Sequence, residues 1–266
     1  MSSMWRQFPF GWLLGVVGGL GGVAALVLVS VGQRAPIDLG SVVFPADAIS
    51  PPMQRYGWQV LGRTASHDLH LGYGLATASS RALDQAHRNL ARQLDYQPTR
   101  DGAFRLRTGR DCTGMACVYG RTAATSRPML AEVARRMQAA ASERELTRGD
   151  LALAIVRLVQ VVPYAVPDGH PFGLLPPGLV LAKGFGDCDS KALLAHVLLG
   201  AVGIDSVLFT SKSHVHALLG VALPIRGAFR QVRGRRYTLV EVTTPNPMGR
   251  IRPDLLQPDD WIAQLQ

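Results

Sequence analysis

Gly184-Phe185-Gly186-Asp187-Cys188-Asp189-Ser190-Lys191 runs directly into Ala192-Leu193-Leu194-Ala195-His196-Val197-Leu198-Leu199 and closes near Gly203. The second block is apolar at nearly every position, rich in Ala and Leu, and followed by a glycine suited to a left-handed stop. It therefore predicts a buried helix with Cys188 in its first turn. A thiol at that position is chemically distinct. The unpaired N–H groups and the positive end of the helix dipole favour thiolate over thiol. The backbone N–H of Cys188 would point where an oxyanion forms. Gly184 and Gly186 permit the tight turn that presents such a residue, and they leave room for a carbonyl to approach. Asp187 and Asp189 act in the opposite sense, so helix position alone does not activate the thiol. A neighbouring imidazolium is required.

Downstream, His214-Val215-His216-Ala217 opens an apolar strand through Leu223, and period-two alternation places both histidines on one face. Tyr237-Thr238-Leu239-Val240-Glu241-Val242-Thr243 is a second strand, in which a carboxylate sits between two valines. Such a group is costly unless paired or solvated, and orienting a catalytic histidine would pair it. Each element taken alone has an ordinary reading: a packed or edge histidine, a carboxylate facing water. Cys188, His214 and His216 also form a zinc-type donor set, but they lack a fourth ligand at suitable spacing. Neither a metal nor a cofactor is expected. His196, two turns into the Cys188 helix, reads as packed or solvated.

Order and spacing together resemble the transglutaminase-like branch of the papain-like cysteine protease superfamily, in a bacterial membrane-anchored form. The resemblance rests on Pro176-Pro177, Gly186-Asp187-Cys188-Asp189-Ser190-Lys191, Leu198-Leu199, Gly203-Ile204, His216-Ala217 and Glu241-Val242-Thr243, and covers roughly residues 151–249. It implies an α+β fold in which a Cys-bearing helix packs on an antiparallel sheet. It also implies a Cys188-His216-Glu241 triad that forms an acyl-enzyme on peptide or protein amides, followed by hydrolysis or transamidation. It selects His216 over His214, and it asks for a second oxyanion donor from upstream, for which Gln160 and Tyr164 are the candidates. Two positions depart from the family pattern: Leu218-Leu219 stand where an aromatic is usual, and Glu241 stands where Asp is commoner. The alternative function is a non-catalytic binding or assembly module of the cell envelope on the same fold.

The remainder of the chain frames this region. Residues 1–33 contain an uncharged stretch from Phe8 to Gly32 that as a helix would span about 37 Å, enough to cross a bilayer. Its length and exit favour a retained anchor over a cleaved signal peptide. Arg6 before it predicts a cytoplasmic N-terminus, hence a single-pass inner-membrane protein with its C-terminal domain in the periplasm. Gly15-x-x-x-Gly19 and Gly18-x-x-x-Gly22 would suit a helix-mediated dimer, although glycine is common in such helices. Residues 34–54 read as a linker with one short strand at Val42–Phe44. Residues 55–128 read as a small α+β module: strands at Trp58–Leu61 and Leu69–Tyr73, a helix capped by Ser79 or Ser80, and strand-like alternation over 104–122. Residues 129–266 form the transglutaminase-like domain, with helices over 129–141 and from Thr147 to Pro163. In an oxidising compartment Cys112 and Cys117 are expected to form a short disulfide, leaving Cys188 as a lone thiol.

The charge of +9 could suggest nucleic acid. The basic residues are almost all Arg, however, are spread over the whole length, and lack interleaved aromatics, so no nucleic-acid partner is expected. Arg226, Arg230, Arg233, Arg235 and Arg236 cluster between the two catalytic strands. They would form a solvated hairpin tip, or would steer an anionic substrate or lie on lipid headgroups.

Overall fold

The computed structural model describes residues 35–49, 51–61, 66–99, 104–107, 112, 114–257 and 260–265. The expected anchor and its glycine motifs lie outside the described residues. Among the described residues, no helix is long and apolar enough to cross a membrane.

The fold is mixed α+β. Strands β1 (Ile37–Phe44), β2 (Met53–Leu61) and β3 (Ser66–Leu75) form a sheet in the order β1-β3-β2, with β1 parallel and β2 antiparallel to β3. Two earlier expectations change here. Residues 34–54 do not simply link: β1 is an eight-residue strand whose Ile37, Leu39 and Val42 are buried. The first helix, α1 (Thr77–Gln93), begins before Ser79, with Ala76 at its cap and no side-chain capping bond.

A third correction concerns residues 104–122. There β5 (Phe104–Arg105) pairs with β4 (Gln97–Pro98), and α2 (Gly114–Glu143) then runs for 30 residues through Pro128. The apolar run Met115-Ala116-Cys117-Val118-Tyr119 is short enough to suit either state. Packing decides for helix: Val118, Tyr119, Thr122, Ala123 and Ser126 follow helical spacing on its buried face. The expected junction at 128/129 falls inside this helix, and one hydrophobic core extends from Ile37 to Val242.

Helix α3 (Arg148–Val161) starts at a capping box. Thr147 accepts from the Asp150 N–H, and Asp150 accepts from the Thr147 N–H. Helix α4 (Pro177–Lys183) opens on proline and stops at Gly184, whose φ of 75° is a left-handed cap. Helix α5 (Cys188–Ala201) follows and packs against α2, α3 and α4.

The opposite side of α5 meets a five-stranded antiparallel sheet in the order β10-β6-β7-β9-β8. Its strands are β6 (Ser206–Ser211), β7 (His216–Val221), β8 (Phe229–Val232), β9 (Arg235–Val240) and β10 (Ile262–Leu265). Leu208, Leu219, Val221 and Val240 face the main core. Val207, Phe209, Leu218, Tyr237 and Leu239 face a smaller one closed by Ile251, Leu255 and Trp261. Both faces are covered, which accounts for the near-continuous apolar runs in β6 and β7. Arg233 (φ 49°) and Gly234 (φ 76°) make a two-residue turn between β8 and β9, the primed hairpin geometry.

Candidate active site

Cys188 is the first residue of α5. Asp187 caps the helix, taking the Ser190 N–H on its side chain at 3.0 Å and the Lys191 N–H on its carbonyl. Helix geometry leaves the N–H groups of Cys188 and Asp189 without partners inside the helix. Gly186 is fixed by its surroundings. A Cβ there would lie 3.2 Å from Ser190 Cβ and 3.3 Å from Val180 Cγ1, so only glycine lets the approach to the thiol run so close to α4 and α5.

His216 opens β7, the central strand of the larger sheet, and its Nε2 lies 2.8 Å from Glu241 Oε2. Strand β7 packs against α5, and the Ala217 backbone acts to lower the pKa of the Cys188 thiol. With Nε2 engaged by the carboxylate, Nδ1 is the ring nitrogen left for proton exchange with the thiol. Glu241 stands one residue beyond β9 rather than inside the strand. Its second oxygen accepts from the Thr243 N–H at 2.8 Å and the Thr243 hydroxyl at 2.6 Å. Burial works to raise its pKa, but the bonds from His216 and Thr243 outweigh it and hold the carboxyl below its ordinary value.

Gln160 takes a different role from the one expected of it. Its amide donates to the Glu241 carbonyl at 2.7 Å and the Asn246 carbonyl at 2.9 Å. Both amide hydrogens are spent on the backbone around Glu241, so Gln160 positions the acid and supplies no oxyanion donor. Tyr164 is half exposed on a short bridge to Gly186. Burial, then Cys188, Asp187 and Asp189, push its hydroxyl up.

His214 does not share a strand face with His216. It lies in the β6–β7 turn beside Val215, whose φ of 47° is left-handed, and its Nε2 is 3.1 Å from Asp260. Trp261 stacks on His214 at 5.9 Å and meets the His216 ring edge-on at 6.3 Å. This aromatic next to the histidine comes from the segment before β10, where no local sequence pattern marks it. His196 packs inward, with Nδ1 3.0 Å from the Ser206 hydroxyl.

Lys191 was also missed as a participant. It is fully buried, and its ammonium donates to the Val162 carbonyl at 2.6 Å and more weakly to that of Gln160, at the C-terminal end of α3. Burial pulls its pKa down to about 8, with Glu241 pulling it back up. Cys112 and Cys117 are joined, and Cys188 is free and buried. Burial, then Asp189 and Asp187, push the Cys188 thiol well above its ordinary value. The arginine group is partly spent on the fold. Arg235 pairs with Asp205, Arg236 covers the Phe229 ring at 4.1 Å, and Arg230 donates to the Leu256 carbonyl.

No protein-family model, curated protein or solved structure matches this chain.

Proposed function

We propose that the chain is a transglutaminase-like thiol enzyme that hydrolyses, or transfers, the acyl group of a peptide or protein amide through an acyl-enzyme at Cys188. The observation that carries the reading is the 2.8 Å His216–Glu241 pair at the start of β7, a strand packed against the helix that Cys188 begins. His216 Nδ1 takes the thiol proton, and the sulfur bonds to the amide carbonyl carbon. The C–N bond then breaks, and the leaving amine receives the proton from the imidazolium. Water or a second amine attacks the thioester, His216 takes its proton, and the released thiol recovers one. The Cys188 N–H is the oxyanion donor at the helix start, and Tyr164 is the candidate second donor. Residues 1–33 would anchor the enzyme in the inner membrane with this domain in the periplasm, a location consistent with the disulfide.

A non-catalytic module on the same fold draws on one observation, the buried thiol with its raised pKa. Iodoacetamide labelling of the full chain across pH separates the two readings. Cys188 is the only cysteine outside the disulfide, so labelling reports on it alone. An enzyme predicts labelling that slows at least about tenfold in His216→Ala, since each unit of thiol pKa changes the thiolate population tenfold. Labelling indifferent to His216 rejects the triad.

A further inference from the structure

Asp189 follows the nucleophile directly, and consecutive helix residues normally diverge. Here, at the first turn, they do not: the Cys188 thiol donates to Asp189 Oδ1 at 3.5 Å. The other carboxylate oxygen is held by the hydroxyl of Tyr119, a buried residue of α2 that lies 70 positions away in the chain. Tyr119 in turn sits two residues beyond Cys117, so the disulfide clamps the turn of α2 that carries it. The carboxylate is thus fixed from both sides, with one oxygen on the sulfur.

We propose, on the reading of Cys188 as nucleophile, that Asp189 is a further catalytic residue. Anchored by Tyr119, it holds the thiol in its protonated form and competes with His216 Nδ1 for the proton. The groups around the sulfur divide into two sets. Burial, Asp189 on α5 and Asp187 at its cap act against the thiolate, and the Tyr119 hydroxyl holds the far oxygen of Asp189. The Ala217 backbone acts the other way on the thiol, while Tyr119, the thiol and His216 pull back down an Asp189 carboxyl that burial raises. Lys191, three residues along the helix from Cys188, donates instead to the carbonyls of Val162 and Gln160. In the resting site the proton stays on sulfur. On activation it moves to His216 Nδ1, the S–H···O bond to Asp189 is lost, and the carboxylate instead faces an imidazolium. Because sulfenic acid formation and thiol–disulfide exchange both need the thiolate, a thiol held this way also survives beside a disulfide in an oxidising compartment.

The test is the pH dependence of iodoacetamide labelling in the full chain, purified in mild detergent, for wild type, D189N, Y119F and H216A. Removing a like charge in contact with the sulfur should move the D189N inflection down by about one to two pH units and raise labelling at pH 7 about tenfold or more. Y119F, which removes a donor that stabilises the Asp189 anion, leaves a stronger base on the sulfur and should move the inflection up. A merely structural Asp189 would lower the melting temperature and leave the inflection where it was. An unchanged or raised inflection in D189N overturns the proposal. If D189N does not fold, an unchanged or lowered inflection in Y119F does the same. H216A keeps the outcomes distinct: slowed labelling there with no D189N shift removes Asp189 alone, whereas labelling unaffected by H216A removes the triad beneath it.

Discussion

Glu241→Gln keeps the shape of the acid and changes which protons the site can hold. Glu241 Oε1 accepts from the Thr243 N–H at 2.8 Å, a donor that cannot be reversed, so the glutamine oxygen must take that side. The amide nitrogen is then forced toward His216 Nε2, now 2.8 Å from a donor, and Nε2 must become the acceptor. The ring proton moves to Nδ1, the nitrogen that should receive the thiol proton, and the imidazolium also loses its counter-charge. For an acid–imidazole pair, an isosteric amide that imposes the wrong tautomer costs about 10⁴-fold in turnover. For labelling at pH 7, loss of base and counter-charge together should cost at least about a hundredfold, since each pKa unit is tenfold. Folding stability should change far less, by about 1–3 kcal/mol, because Gln preserves the Thr243 bonds. Nitrogen-15 shifts of His216 would report the tautomer directly. Labelling within threefold of wild type, with Nδ1 unprotonated, would refute the role given to Glu241.

Three further outcomes follow from the packing around the site. Lys191 has a folded-state pKa pulled down to about 8, below the unfolded value of about 10.4, so the unfolded chain binds more protons between them. Its contribution to unfolding free energy should therefore rise with pH across that window, and Lys191→Met should flatten the rise in denaturant titrations. Reducing the Cys112–Cys117 bond, or replacing both with Ala, should lower unfolding free energy by about 2 kcal/mol, the loop-entropy value for so short a ring. Trp261→Ala should cost about 2 kcal/mol, less than a fully buried Trp because Trp261 is only partly covered, and should move the ring-proton chemical shifts of His214 and His216 by removing the indole ring current. Ring-proton shifts identical to wild type would refute the two ring contacts.

The α5 helix, the strand opened by His216, the strand that ends just before Glu241, and the helix start at Thr147 were legible because each is written in adjacent residues. The residues that complete the site were not. Tyr119 reaches Asp189, Gln160 reaches the Glu241 carbonyl, and Asp260 reaches His214 over 70, 81 and 46 positions respectively. No local period encodes such partners. Gln160 illustrates the difficulty: a polar side chain near the end of an apolar helix suggested a donor for substrate, and only tertiary contacts show its hydrogens already taken. The first half of α2 failed for another reason, since Val118 and Tyr119 suit strand and helix alike until their neighbours are known.

Trp261 lies against both histidines, yet it belongs to the segment that leads into β10, and β10 is held by pairing with β6 half a hundred residues earlier. Together with Tyr119, it makes the site a product of contacts that close over long stretches of chain, the kind that form late and slowly during folding. A partly made chain would hold the thiol, the histidine and the acid as separate, unassembled residues. On the proposed reading, Cys188 would stay idle until the last strand has docked.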